Sequence, residues 1–140
     1  KLGMVINLDE HWQNGSHWVA LYSDLEQGQV YYFDSYGIRP RGRVREFVGR
    51  LSKWCYKQRK GRVPHESESF MKPSKQNKIE KELEVQFNKV RHQFKGSECG
   101  VYSTNFILRL LKGETFDYIC DNITYDDTIN ECRTVYFRFK

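Results

Sequence analysis

Gln93-Phe94-Lys95-Gly96-Ser97-Glu98-Cys99-Gly100 is a polar, glycine-bounded turn that runs directly into the apolar segment Val101 to Leu111. Within that segment Val101, Tyr102, Phe106, Ile107, Leu108, Leu110 and Leu111 are too dense for a solvent-facing helix. Lys112-Gly113 reads as a basic last turn with a glycine stop. The stretch therefore predicts a largely buried central helix from about Cys99 to Lys112, with a cysteine at its mouth. Unpaired backbone N–H groups and the positive end of the helix dipole favour a thiolate over a thiol there. Such a cysteine can have its pKa lowered from about 8.5 into the range of roughly 3.5 to 7.5. An isolated cysteine before an apolar helix more often simply packs, since free cysteine is among the most buried residue types. The rest of the chain has to decide between the two.

Upstream, His17-Trp18-Val19-Ala20-Leu21-Tyr22 and Gln29-Val30-Tyr31-Tyr32-Phe33 are β-rich runs joined by the loop Ser23 to Gly28, which reads as an antiparallel hairpin. Lys1 to Leu8 predicts an earlier, partly alternating strand, and Asn14-Gly15-Ser16 a turn. After a linker from Ile38 to Gly42, the residues Val44, Phe47, Val48, Leu51, Trp54 and Cys55 fall at helical spacing, predicting an amphipathic helix from about Arg43 to Lys57. Val63 to Asn77, with Pro64 and Pro73, reads as a surface loop. Ile79 to Phe87 fits a short helix or a strand; imperfect alternation of Val85, Phe87, Val90, His92 and Phe94 favours a strand entering the Gln93 turn. Phe116-Asp117-Tyr118-Ile119 begins one short helix, Asp126 to Arg133 forms another, and Val135 to Phe139 closes the chain. The expected fold class is α+β: one domain, residues 1–140, with a mixed, mainly antiparallel sheet packed on a central helix that begins at Cys99.

Composition narrows the function classes. Hydrophobic residues at 39% and charged residues at 29% describe a globular protein rather than a disordered one. No apolar run approaches the ~20 residues of a membrane span. The four cysteines, Cys55, Cys99, Cys120 and Cys132, contain no Cys-x-x-Cys pair, and no paired-histidine metal pattern accompanies them. No metal or cofactor is implied, and a reducing, intracellular compartment is expected. The net charge of +5 includes a basic stretch from Lys53 to Arg62, which offers a nucleic-acid contact but is more simply a solvated helix face. The sequence opens at Lys1, with its first methionine at Met4, and so reads as an excised domain or a fragment.

A nucleophilic cysteine needs a base, a group that orients the base, and donors for the oxyanion. His17 lies at the start of one predicted strand and Asp34 at the end of its hairpin neighbour, so antiparallel pairing brings them to the same edge of the sheet. His11 and His65 fall in loops, and His92 should point to the opposite face from Gln93. Gln93, with Gly96 supplying an unusual backbone turn, can fold back toward Cys99 and donate to an oxyanion together with the Cys99 N–H. Gly100 allows close approach of a substrate backbone, or tight helix packing. Taken singly, each of these residues has a blander reading as surface, turn or packing.

The ordered set His17-Trp18, Asp34-Ser35, Gln93 and Glu98-Cys99-Gly100 resembles the signature of the ubiquitin-like-protein-specific, SUMO-type cysteine proteases, a clan that includes adenovirus-type proteases. The resemblance runs from about Gly15 to Leu111. It implies a general base at His17, an orienting carboxylate at Asp34, an oxyanion donor at Gln93 and a nucleophile at Cys99, with Trp18 lining the channel for small substrate residues. Asn88-Lys89-Val90-Arg91-His92-Gln93 followed by Ser97-Glu98-Cys99-Gly100-Val101-Tyr102-Ser103 is most similar to the processing proteases of large DNA viruses. Those relatives cut polyproteins at Gly-Gly-X or Gly-X-Gly sites, whereas cellular relatives remove ubiquitin-like modifiers. The resemblance thus implies a monomeric protease acting on a viral polyprotein or a ubiquitin-like conjugate. Two other functions fit parts of the pattern: an acetyltransferase with the same site order, and a basic nucleic-acid-binding module without catalysis.

Overall fold

The computed structural model describes residues 1–9, 12, 17–61 and 85–137. The turn at Asn14-Gly15-Ser16, the loop from Val63 to Asn77, His11, His65, Arg62 and Phe139 lie outside the described residues. Strands β1 (Leu2–Asn7), β2 (Trp18–Asp24), β3 (Gln29–Phe33) and β4 (Val85–Phe87) form one sheet in that order. β1 and β2 are antiparallel, as are β2 and β3, while β3 and β4 run parallel. Around the sheet are helices α1 (Gly42–Lys60), α2 (Cys99–Leu111), α3 (Phe116–Asp121) and α4 (Asp126–Tyr136). The mixed, mainly antiparallel sheet and the helix beginning at Cys99 match the expected α+β class.

The alternation of β2 and β3 explains the layering, because successive side chains of a strand point to opposite faces. Ala20 and Tyr22, with Phe33, pack in a cluster with Val101, Tyr102, Phe106 and Leu110 of α2. Val19 and Leu21, with Val30 and Tyr32, pack instead with Val48 and Cys55 of α1. Burial on both faces is why these strands read as near-continuous apolar runs. On the α2 side the helix comes so close to β1 that a methyl added at Gly3 would lie 3.0 Å from the Ile107 side chain.

α1 is longer at both ends than its apolar spacing predicted. It stops at Gly61, whose φ of 72° supplies a left-handed cap with its N–H on the Lys57 carbonyl. Arg45, Arg50, Lys53 and Lys57 are exposed along it. The expected strand into the Gln93 turn ends early, at Phe87. Asn88 is the reason: its buried side chain accepts from the Asp34 N–H at 2.9 Å and donates to the Asp34 and Val90 carbonyls at 2.6 and 3.1 Å. A side-chain amide thus takes over the backbone groups that a continuing ladder would have used. α4 runs on past Arg133 to Tyr136.

Candidate active site

The β2–β3 hairpin sets the first pair. With Ala20 opposite Phe33, His17 and Asp34 fall just beyond the same end of the two strands. His17 Nε2 lies 2.8 Å from Asp34 Oδ1, and the two side chains are only 13% and 2% exposed. The same carboxylate oxygen accepts the Tyr36 N–H at 2.8 Å, and the Tyr36 ring stacks on the imidazole with centroids 4.6 Å apart. Since Asp34 takes the Nε2 proton, Nδ1 is the nitrogen left for a second partner. Nδ1 is buried without a well-formed hydrogen bond. Its interaction with Cys99 is therefore a looser one, as catalytic contacts in a ligand-free site commonly are.

Cys99 opens α2, with Glu98 at the cap position, and is buried. Burial pushes its thiol pKa up, but the side chain of His17 and the backbone N–H groups of Trp18 and Gly100 outweigh that and leave it lowered. Burial likewise opposes a charge on His17, yet its hydrogen bond to Asp34, its looser interaction with Cys99 and the charges of both raise its pKa to about 9. The two shifts are coupled, and both favour a thiolate–imidazolium pair. The other cysteines differ: burial raises Cys55, and burial with Asp121 and Asp117 raises Cys120 to about 12. Glu98, whose charge would oppose the thiolate, is instead bound by Arg133 Nε at 3.0 and 3.3 Å.

Gln93 is fully buried rather than a surface glutamine. Its Oε1 accepts from Ser35 Oγ at 2.7 Å, and its Nε2 donates to the Gly96 and Lys95 carbonyls at 3.0 and 3.4 Å. The amide nitrogen is therefore directed into the loop that leads to Cys99, and Gly96 turns that loop with a φ of 67°. Trp18, 38% exposed, lies over Gly100, where an added methyl would meet the indole at 3.9 Å. His92 faces away, as expected: it is buried, its Nε2 is 3.2 Å from the Cys120 carbonyl oxygen, and burial lowers its pKa.

The structure thus brings His17, Asp34 and Cys99 together, carries Gln93 on the adjoining loop, and sets Trp18 against Gly100. Several supporting residues escaped the sequence reading. Asp126 Oδ2 accepts the Phe94 and Lys95 N–H groups, both at 3.0 Å, and so holds the loop from the start of α4. Ser35 entered the sequence reading only as the neighbour of Asp34, and Asn88 only as the start of the run to Gln93; both join distant segments, which sequence spacing cannot reveal. Among the described residues no group of three or more His, Cys, Asp or Glu is placed to hold a metal ion, and no helix is long and apolar enough to cross a membrane.

Known proteins resemble this chain in sequence and in fold. The chain is 36% identical over 98% of its length to a protein of Acanthamoeba polyphaga mimivirus named as a thiol protease, and covers 39% of it. It is 28% identical over 97% of its length to a SUMO-1 cysteine protease of African swine fever virus, and covers 43% of that protein. The chain therefore spans about two fifths of the curated relatives it matches. A crystal structure of the African swine fever virus protease superposes with a TM-score of 0.70 at 25% identity, over 99% of this chain and 44% of that one. The SUMO protease Ulp1 shares the fold with a TM-score of 0.56 at 21% identity, over 95% of this chain and 49% of that one. Residues 3–130 match the Ulp1 protease family, C-terminal catalytic domain, and the chain belongs to that family.

Proposed function

We propose that this chain is the catalytic region of a thiol-dependent hydrolase that cleaves peptide or isopeptide bonds after small residues such as Gly-Gly. The observation that carries the reading is the buried His17–Asp34 pair, 2.8 Å apart, beside a Cys99 thiol with a lowered pKa. In this reading the Cys99 thiolate attacks the carbonyl carbon and the carbonyl electron pair moves onto oxygen. The Cys99 N–H and Gln93 Nε2 hold that oxyanion. Gln93 already donates to two loop carbonyls, so the longer contact, to Lys95 at 3.4 Å, is the one exchanged for the oxyanion. Collapse breaks the carbon–nitrogen bond as the His17 imidazolium protonates the departing amine. His17 then takes a proton from water, the water oxygen attacks the thioester, and the acid and the thiolate are released.

Trp18 lying over Gly100 supports a narrow acyl-side channel suited to glycine. The partner is a protein substrate, either a viral polyprotein or a ubiquitin-like conjugate, and the four free cysteines suit a reducing compartment. The acetyltransferase and nucleic-acid-binding readings draw no support from the relatives. The test incubates the chain with Gly-Gly-X and Gly-X-Gly peptides and with a ubiquitin-like fusion, read by mass spectrometry. Cleavage after glycine that disappears in Cys99→Ala is expected. Equal cleavage by Cys99→Ala, or acyl transfer from acetyl-CoA in place of hydrolysis, contradicts the reading.

A further inference from the structure

His17, Tyr36, Arg91 and Phe94 form a continuous stack leading away from the site. Tyr36 lies on the His17 ring at 4.6 Å; the Arg91 guanidinium is 5.0 Å from the Tyr36 centroid and 5.3 Å from that of Phe94. Arg91 Nε also donates to the Gln93 carbonyl at 2.5 Å. Two ring faces and one hydrogen bond therefore fix a side chain that would otherwise lose about 2 kcal/mol of rotamer freedom on binding a ligand. These contacts engage the guanidinium through the two rings and Nε but leave its terminal amino groups without an acidic partner among the described residues. Arg91 and Phe94 are exposed, Phe94 by 56%.

Three of the described carboxylates around this loop are already engaged. Asp34 holds His17 and the Tyr36 N–H, Asp126 holds the Phe94 and Lys95 N–H groups, and Glu98 holds Arg133. Lys89 and Lys95 add further positive charge along the same segment. A planar cation with free amino groups, pre-positioned and uncompensated, is the geometry that recognises a carboxylate through two parallel hydrogen bonds. The steps from His17 to Tyr36 and from Tyr36 to Arg91, 4.6 and 5.0 Å, correspond to about two or three residues of extended chain.

We propose that Arg91, flanked by Tyr36 and Phe94, is a specificity-determining residue that forms a subsite for an Asp or Glu side chain of the protein substrate, two or three residues from the bond that is cut. This rests on the protease reading above. The test uses the chain carrying Cys99→Ala and labelled Gly-Gly peptides with Glu or Gln placed in turn at each flanking position, with affinity read by fluorescence anisotropy. At one position Glu binds about tenfold more tightly than Gln. Adding Arg91→Gln removes that preference, and Arg91→Lys restores only part of it, because lysine supplies charge without the fork.

A Glu-to-Gln ratio that is the same with and without Arg91 at every position overturns the proposal, as does the absence of measurable binding by any peptide. Cleavage by the chain with Cys99 intact is followed in parallel. Arg91-dependent binding without cleavage defeats the protease reading alone. Cleavage whose Glu-to-Gln ratio in kcat/KM is unmoved by Arg91→Gln defeats the subsite alone.

Discussion

Ser35 Oγ donates to Gln93 Oε1 at 2.7 Å in the buried interior, and the Ser35 carbonyl accepts the His92 and Gln93 N–H groups at 2.8 and 2.9 Å. One residue beside Asp34 therefore fixes both the backbone and the amide orientation of Gln93. With Oε1 committed to a donor, Nε2 is the atom that faces the loop before Cys99.

Removing the hydroxyl frees the amide to flip. A buried hydrogen bond contributes about 0.5–1.5 kcal/mol net, and 1.4 kcal/mol in a barrier is about tenfold in rate. Ser35→Ala is expected to lower kcat by up to about tenfold with little change in KM, measured on a Gly-Gly peptide well below the melting temperature. An equal loss spread into KM would mean that the serine serves packing alone.

The pH profile follows from the shifts at the pair. His17 is raised to about 9, so its contribution to stability is fully present below its ordinary value of 6.5 and is lost as pH rises through about 9. Cys99 is lowered, so its contribution is present above the ordinary thiol range and is lost as pH falls through its own depressed value. Cleavage should hold a plateau between those limits, with an alkaline limb near 9. Asp34→Asn removes the hydrogen-bonding carboxylate, and the alkaline limb should move to lower pH. An alkaline limb that stays in place would detach it from His17.

The elements that bear the candidate site were more legible in the sequence than the contacts that hold them in place. The helix that opens at Cys99 was legible because Cys99 to Leu111 combines a glycine-bounded entry, dense apolar residues and a basic, glycine-terminated end. The His17–Asp34 edge was legible because two β-rich runs flanked a short loop. The early end of β4 was not, since it depends on Asn88 reaching the backbone of Asp34, a residue remote in sequence. The burial of Gln93 and the clamp by Asp126 were hidden for the same reason: both arise from partners that only the fold brings near.

Two glycines separate steric demand from backbone conformation. Gly37 has a φ of 73°, and a methyl added there would lie 2.9 Å from the Lys89 carbonyl oxygen; Gly96 has a φ of 67° but faces open space. Left-handed backbone costs an L residue about 1–2 kcal/mol. Gly96→Ala should lose about that much in urea unfolding, and Gly37→Ala clearly more, because the 88–92 segment must move. Equal losses would show that the close approach at Gly37 carries no cost.

Asp126 offers a way to separate loop position from thiol activation. It holds the Phe94 and Lys95 N–H groups and is not among the main causes of the shift at Cys99. Asp126→Ala should slow peptide cleavage several-fold while leaving the alkylation rate of Cys99 at pH 6 within about twofold. A parallel fall in alkylation would place Asp126 in the thiol's electrostatics instead.

The central claim is the thiolate–imidazolium pair, and site-resolved alkylation tests it most directly. At pH 6 an unperturbed thiol is only about 0.3% thiolate, so reaction at Cys55, Cys120 and Cys132 should be slow while Cys99 reacts selectively and fast. That speed should vanish in His17→Ala. A folded sample in which Cys99 is as slow as the other three, or in which His17→Ala leaves its rate unchanged, would contradict the account.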